Sequence, residues 1–161
     1  MFATTLEKNV SKFVRKFGVN RARYSETFQY RERKDGYNYI DFSFRHYNED
    51  NLLIDHIKEK FGVDVEPMFW IFSLLHEVGH HMTFPKFEED DFMEYGLMRQ
   101  IVLPFMPPDE ANKFYFGLPI EDAATRWAIQ YIADHFEECW EFQCKVANLF
   151  EHTKKKKSFK L

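Results

Sequence analysis

The residues of this 161-residue chain best placed to do chemistry are His76, Glu77 and His80, in the run His76-Glu77-Val78-Gly79-His80. Histidines four apart lie on one helix face, one turn apart, so two imidazole nitrogens can reach a single ion at ~2.0–2.1 Å. The glutamate between them stands beside that ion, where its carboxylate can take a proton from a bound water. The spacing suits zinc with an open coordination position. The bland alternative is a pair of hydrogen-bonded core histidines. It would bury two imidazoles and a carboxylate without a metal beside the apolar run FWIFSLL, at a desolvation cost that is hard to offset. The metal reading is therefore preferred. His81 points about 100° away from that face and is not expected to be a ligand.

Zinc needs a third protein ligand, and downstream carboxylates are plentiful. Glu94 follows the acidic run EEDD, whose natural reading is a solvated loop. Glu121 opens the segment GLPIEDAATRWAIQYIADH, and the residues on its helix face, Ala124 and Ala128, are small. Small residues there let this helix approach the histidine helix closely enough for a carboxylate to reach the ion. Glu121 is the expected ligand and Glu94 the alternative.

LLHEVGHHM followed by Glu121-x-x-Ala124-x-x-Trp127-Ala128 resembles the gluzincin metallopeptidases, most closely the ImmA/IrrE group of minimal zincins. The resemblance covers two short segments, 72–83 and 119–132. It implies zinc ligands His76, His80 and Glu121, with Glu77 as general base, a minimal zincin-like fold, and a sheet-edge strand beside the cleft. The interval from His80 to Glu121 is longer than in that group, which leaves room for an inserted loop around 84–118. No helix-turn-helix or other sensing domain of the kind fused to such peptidases is recognisable.

The surrounding elements must position these residues. Leu6, Val10, Phe13, Val14 and Phe17, with Phe2 before them, recur at three- and four-residue steps. Thr4 and Glu7 fit a capping box, and Gly18 offers a stop. The segment 22–45 reads as a hairpin with Tyr24, Phe28 and Tyr30 on one face of the first strand and Ile40, Phe42 and Phe44 on one face of the second. A two-residue Asp35-Gly36 loop would put these sets on opposite faces of the sheet. A three-residue Lys34-Asp35-Gly36 loop pairs Tyr30 with Ile40 and Phe28 with Phe42, and is preferred. Residues 51–61 read as a short helix, and Pro67 begins the buried histidine helix. The stretch 84–118 resists assignment. Pro119 opens a last helical region that is either one long bent helix or two in succession. The expected class is α+β, a small antiparallel sheet packed on the HExxH helix and further helices. One domain is expected over 1–153, with 154–161 as a disordered basic tail.

Composition bounds the function. The chain is 45% hydrophobic and 19% aromatic, which excludes wholesale disorder. Phe outnumbers Leu 19 to 10, so a core built mainly of rings is expected. No apolar run approaches the ~20 residues of a membrane span, and no signal peptide is evident. A cytoplasmic protein without a membrane partner is expected. Cys139 and Cys144 form neither a disulfide framework nor a metal knuckle. Residues 1–48 hold 10 Lys/Arg against 5 Asp/Glu, residues 49–141 hold 6 against 20, and residues 142–161 hold 6 against 1. The lysine run 154–157 is weak ground for nucleic-acid binding. The leading expectation is a zinc peptidase acting on a peptide or protein. The alternatives are a non-catalytic zincin-like module that binds a protein or nucleic acid, and a zinc hydrolase acting on something other than peptides. Tyr95, Tyr115, Arg126 and His135 all have the chemistry of an oxyanion partner, and spacing singles out none of them.

Overall fold

In the computed structural model, residues 4–158 are described, and they form an α+β fold of seven α-helices and one three-stranded sheet. Helix α1 (Thr5–Arg15) starts at the expected capping box. Thr4 Oγ1 accepts from the Glu7 amide, and Glu7 Oε2 accepts from the Thr4 amide, each at 3.2 Å. Gly18, at φ 90°, turns the chain after it. Phe2 lies outside the described residues.

The hairpin has the register of the three-residue loop. Strand β2 (Gln29–Glu32) runs antiparallel to β3 (Asn38–Phe42), with Tyr30 opposite Ile40. The Arg33 amide bonds the Tyr37 carbonyl across the loop, and Gly36 takes φ 81°. The first half of the expected strand is a correction. Residues Arg21–Tyr24 form a separate strand, β1, on the other edge of β3 and parallel to it, so the order is β1-β3-β2 and the sheet is mixed. The chain bends between Tyr24 and Gln29, and Ser11 of α1 fixes β1 by exchanging two hydrogen bonds with the Ala22 backbone. Tyr24 therefore flanks Phe42 from the far side instead of continuing the row of Phe28 and Tyr30. One face of the sheet is polar. There the buried Asp41 carboxylate is held by Arg23 (2.8 Å) and Arg31 (3.3 Å).

Helix α2 (Asn48–Phe61) begins three residues before its expected start and ends at Gly62, φ 67°. A single 3₁₀ turn, Glu66–Met68, carries Pro67 into α3 (Phe69–Thr83). Ile71, Phe72, Leu74, Leu75 and Val78 of α3 are fully buried, each stabilising by roughly 1.5–3 kcal/mol. The innermost core is more aliphatic than the composition suggests. Ile40, Ile57, Ile71, Leu74 and Leu75 occupy it beside two fully buried rings, Phe42 and Phe72, while other rings such as Phe17, Phe44, Trp70 and Phe150 form a half-buried layer around it. The half-buried rings stack at the edges, as Phe44 does on Phe150 at 4.1 Å.

Segment 84–118 is ordered. It holds α4 (Glu89–Leu97), a π turn at Met98–Val102, a 3₁₀ turn at Leu103–Phe105 and α5 (Pro108–Gly117). The EEDD run, expected as a loop, forms the first turn of α4. Asp91 accepts from the Glu88 amide at 2.8 Å, and the acidic groups meet the positive end of the helix. The last region is two helices, α6 (Pro119–Asp134) and α7 (Phe136–Ser158), divided at His135. Residues 154–158 of the expected tail are the end of α7, and 159–161 lie outside the described residues. Among the described residues no helix is long and apolar enough to cross a membrane. Cys139 is buried and Cys144 exposed, both as free thiols.

Candidate metal centre

The centre lies where α3 and α6 meet. His76, Gly79, His80 and Thr83 form one face of α3; Glu121, Ala124, Thr125 and Ala128 form one face of α6, in both cases at steps of three, four and seven. The two backbones touch at Gly79. A Cβ there would stand 2.6 Å from the Ala124 carbonyl oxygen and 3.0 Å from its Cα. Ala124 and Ala128 are fully buried, so the small face of α6 allows the approach as expected. Gly79 is its unforeseen counterpart on α3. Glycine in mid-helix costs about 1 kcal/mol against alanine, and that is the sequence signal that could have marked it.

This contact brings Glu121 onto the histidines. Its Oε2 is 2.9 Å from His76 Nε2 and 3.5 Å from His80 Nε2. One ligand atom from each of the three residues lies within 4.8 Å of the others. Glu94 is exposed and outside the group. His76 Nδ1 lies 3.2 Å from Thr125 Oγ1, which orients the ring and leaves Nε2 facing Glu121. His80 Nδ1 is buried without a hydrogen-bond partner, so its ring too is oriented from the Nε2 side. Two imidazoles and a carboxylate, converging at this range, suit a divalent ion such as zinc.

Two hydroxyls from segment 84–118 complete the bonding of the carboxylate. Tyr95 donates to Glu121 Oε1 at 2.5 Å and Tyr115 to the same oxygen at 2.7 Å. Burial alone would favour the neutral acid, but the hydrogen bonds to His76 and His80 outweigh it and hold Glu121 well below the usual carboxylate range. Burial likewise works against charge on His80. Glu121 and Glu77 more than compensate, raising its imidazole above the ordinary value. Both tyrosines are pushed far up, first by burial and then by the Glu121 charge, and so remain donors. Of the four oxyanion candidates, Tyr95 and Tyr115 lie in the centre. Arg126 pairs with Asp122 at 2.6 Å, and His135 stacks on Tyr131 at 4.2 Å; neither joins the group.

Glu77 is beside the group but not in it. Its Oε2 accepts the Tyr30 amide of β2 at 2.6 Å. The Tyr30 hydroxyl lies 3.0 Å from His81 Nδ1 one turn further along α3, so His81 faces the sheet and not the centre. Burial pushes the Tyr30 phenol up to about 12. Two cavities open on Glu77. One, of about 420 Å³, runs along Phe28, Leu53, Phe69 and Trp70. The other, of about 330 Å³, runs past Gln29, His80, Phe92 and Arg99. Glu121 and Tyr115 line both.

No protein-family model, no curated protein and no solved structure matches the chain. What defines it is the α+β class together with a His-His-Glu group that could hold a metal ion.

Proposed function

We propose that the chain is a zinc-dependent metallopeptidase with a minimal zincin-like fold, similar to the gluzincins, in which His76, His80 and Glu121 hold zinc and Glu77 is the general base. The observation that carries this is the convergence of His76 Nε2, His80 Nε2 and Glu121 Oε2, with Glu77 on the same cleft. Zinc at this position would polarise the scissile carbonyl and lower the pKa of the attacking water to about 7. Glu77 accepts the proton from that water and delivers it to the leaving amine. The Tyr30 amide fixes one carboxylate oxygen and leaves the other for this transfer. His76 and His80 keep Glu121 ionised, and Tyr95 and Tyr115 hold its Oε1 so that Oε2 faces the histidines.

The sheet supplies the substrate platform. In β2 the residues paired through hydrogen bonds to β3 alternate with residues whose backbone groups face outward, and Tyr30 is of the outward kind. β2 is an edge strand next to α3, so an extended peptide can add along the cleft through the outward groups of β2 other than the Tyr30 amide, which Glu77 holds. The test is zinc content by mass spectrometry together with cleavage of a peptide mixture. The expected result is about one zinc per chain and hydrolysis that Glu77→Gln abolishes. Zinc retention with no hydrolysis under any peptide challenge would favour the non-catalytic module instead. Absence of zinc under zinc-replete conditions would overturn both.

A further inference from the structure

The cleft differs on its two sides of Glu77. On one side the cavity of about 420 Å³ is walled mainly by Phe28, Leu53, Phe69, Trp70 and Phe72, with Arg45, His46 and Asp50 also in its lining. Its volume and largely apolar wall suit a bulky apolar side chain, whose burial supplies affinity in proportion to the area covered. On the other side the lining becomes polar: beside the Glu77 and Glu121 carboxylates and His80 it holds Arg99, its one guanidinium.

Arg99 is held in a particular way. It stands on the π turn Met98–Val102, a type of turn frequent at functional positions. Its guanidinium lies 5.5 Å from the Tyr95 ring and 5.8 Å from the Tyr115 ring, the two residues whose hydroxyls grip Glu121. These contacts fix the cation at the cavity wall. Stretch 49–141 holds 20 Asp/Glu against 6 Lys/Arg, and three of those six, Lys60, Lys113 and Arg126, lie against carboxylates. Among the described residues Arg99 has no carboxylate at ion-pair distance. A guanidinium on a cavity wall and free of a protein carboxylate is a ready receptor for a ligand carboxylate, through paired N–H donors.

We propose that the cleft selects a peptide with a bulky apolar side chain on one side of the bond presented to Glu77 and a carboxylate, received by Arg99, on the other. The carboxylate is an acidic side chain or a free C-terminus. The proposal rests on the peptidase reading above and makes Arg99 a specificity-determining residue.

Binding and cleavage test it separately. The zinc-loaded Glu77→Gln protein is titrated with blocked tetrapeptide amides Ac-Ala-Phe-Glu-Ala and Ac-Ala-Glu-Phe-Ala, and with their Gln counterparts. Ac-Ala-Phe-Ala is compared as free acid and as amide, which separates the two carboxylate sources. At least one carboxylate-bearing peptide should bind roughly tenfold more tightly than its neutral partner. Adding Arg99→Gln should erase that difference while leaving the preference for Phe over Ala. Arg99→Lys should keep part of it, and Arg99→Glu should turn the preference toward Lys-containing peptides, which a merely structural role would not do. In parallel, wild-type protein digests a peptide mixture and the cleaved sites are read by mass spectrometry. Equal binding of charged and neutral peptides, or discrimination that survives Arg99→Gln, overturns the proposal. Cleavage without the preference overturns it and leaves the peptidase reading in place. Selective binding by the Glu77→Gln protein with no cleavage by wild type does the reverse. Failure of every peptide to bind overturns both.

Discussion

Replacing Gly79 by alanine is the smallest change that tests how the centre is built. The new Cβ would meet the Ala124 carbonyl oxygen at 2.6 Å, whereas ordinary contact begins at 3.4 Å. The helices must separate by about 0.8 Å, since the obstacle is backbone on both sides. Overpacking of this kind costs typically 1–3 kcal/mol, and alanine returns about 1 kcal/mol through helix propensity. The expected net loss is about 0–2 kcal/mol, a fall in melting temperature of up to roughly 8 °C for a chain of this size. The separation also draws Glu121, one turn from Ala124, away from the imidazoles by several times the ~0.2 Å that metal–ligand distances tolerate. Zinc affinity should fall at least about tenfold. Gly96 in α4 is the matched control, because a Cβ there meets nothing within 4 Å. Gly96→Ala should raise the melting temperature by about 2–4 °C at most and leave zinc untouched. Circular dichroism melts of the metal-free proteins, and zinc competition against a chromophoric chelator, read both effects. If Gly79→Ala melts as Gly96→Ala does and binds zinc like wild type, then close backbone approach does not build this centre.

Glu77→Gln should lower kcat by 10²–10⁴ while zinc content stays at the wild-type level, checked by single-turnover cleavage and mass spectrometry. Tyr95→Phe and Tyr115→Phe should each weaken zinc binding by roughly 10–100-fold, measured by the same competition assay, because each removes a donor from Glu121 Oε1. Asp122 responds to acid in a calculable direction. Burial raises its pKa, but Lys60 and Arg126 prevail and hold it below 3.8, so its contribution is present above that pH and lost as pH falls through the depressed value. Asp122→Asn should therefore lower the melting temperature at pH 7, and the gap to wild type should close as pH is taken below about 3.8.

Much of the centre was legible because helix geometry translates spacing directly into position. His76 and His80 at four residues, and Glu121 above Ala124 and Ala128, needed no tertiary information beyond one close helix contact. The hairpin register was legible for a similar reason, since only the loop with Gly36 as its left-handed residue puts Tyr30 and Ile40 on one face. The departure of β1 was not. Alternation reads the same whether a strand continues or crosses to the far edge of its partner, and the deciding contact is Ser11 on Ala22, supplied by another element. Tyr95 and Tyr115 were legible only as chemically able residues. Their approach to Glu121 depends on how α4 and α5 fold back over the core, which no local pattern encodes. Arg99 carried no signal at all.

Helices α4 and α5, with the turns between them, contain no fully buried residue, and Met93, Leu97, Ile101 and Phe105 lie exposed along the segment at four-residue steps. Yet this lightly anchored segment carries both hydroxyls that grip the carboxylate. Parts of a fold with little burial open far more often than the whole unfolds. Each such opening strips Glu121 of its two donors while α3, α6 and both histidines stay in place. The lifetime of an ion held there would therefore be governed by the opening of residues 89–117, so that the site could exchange a metal without unfolding of the core.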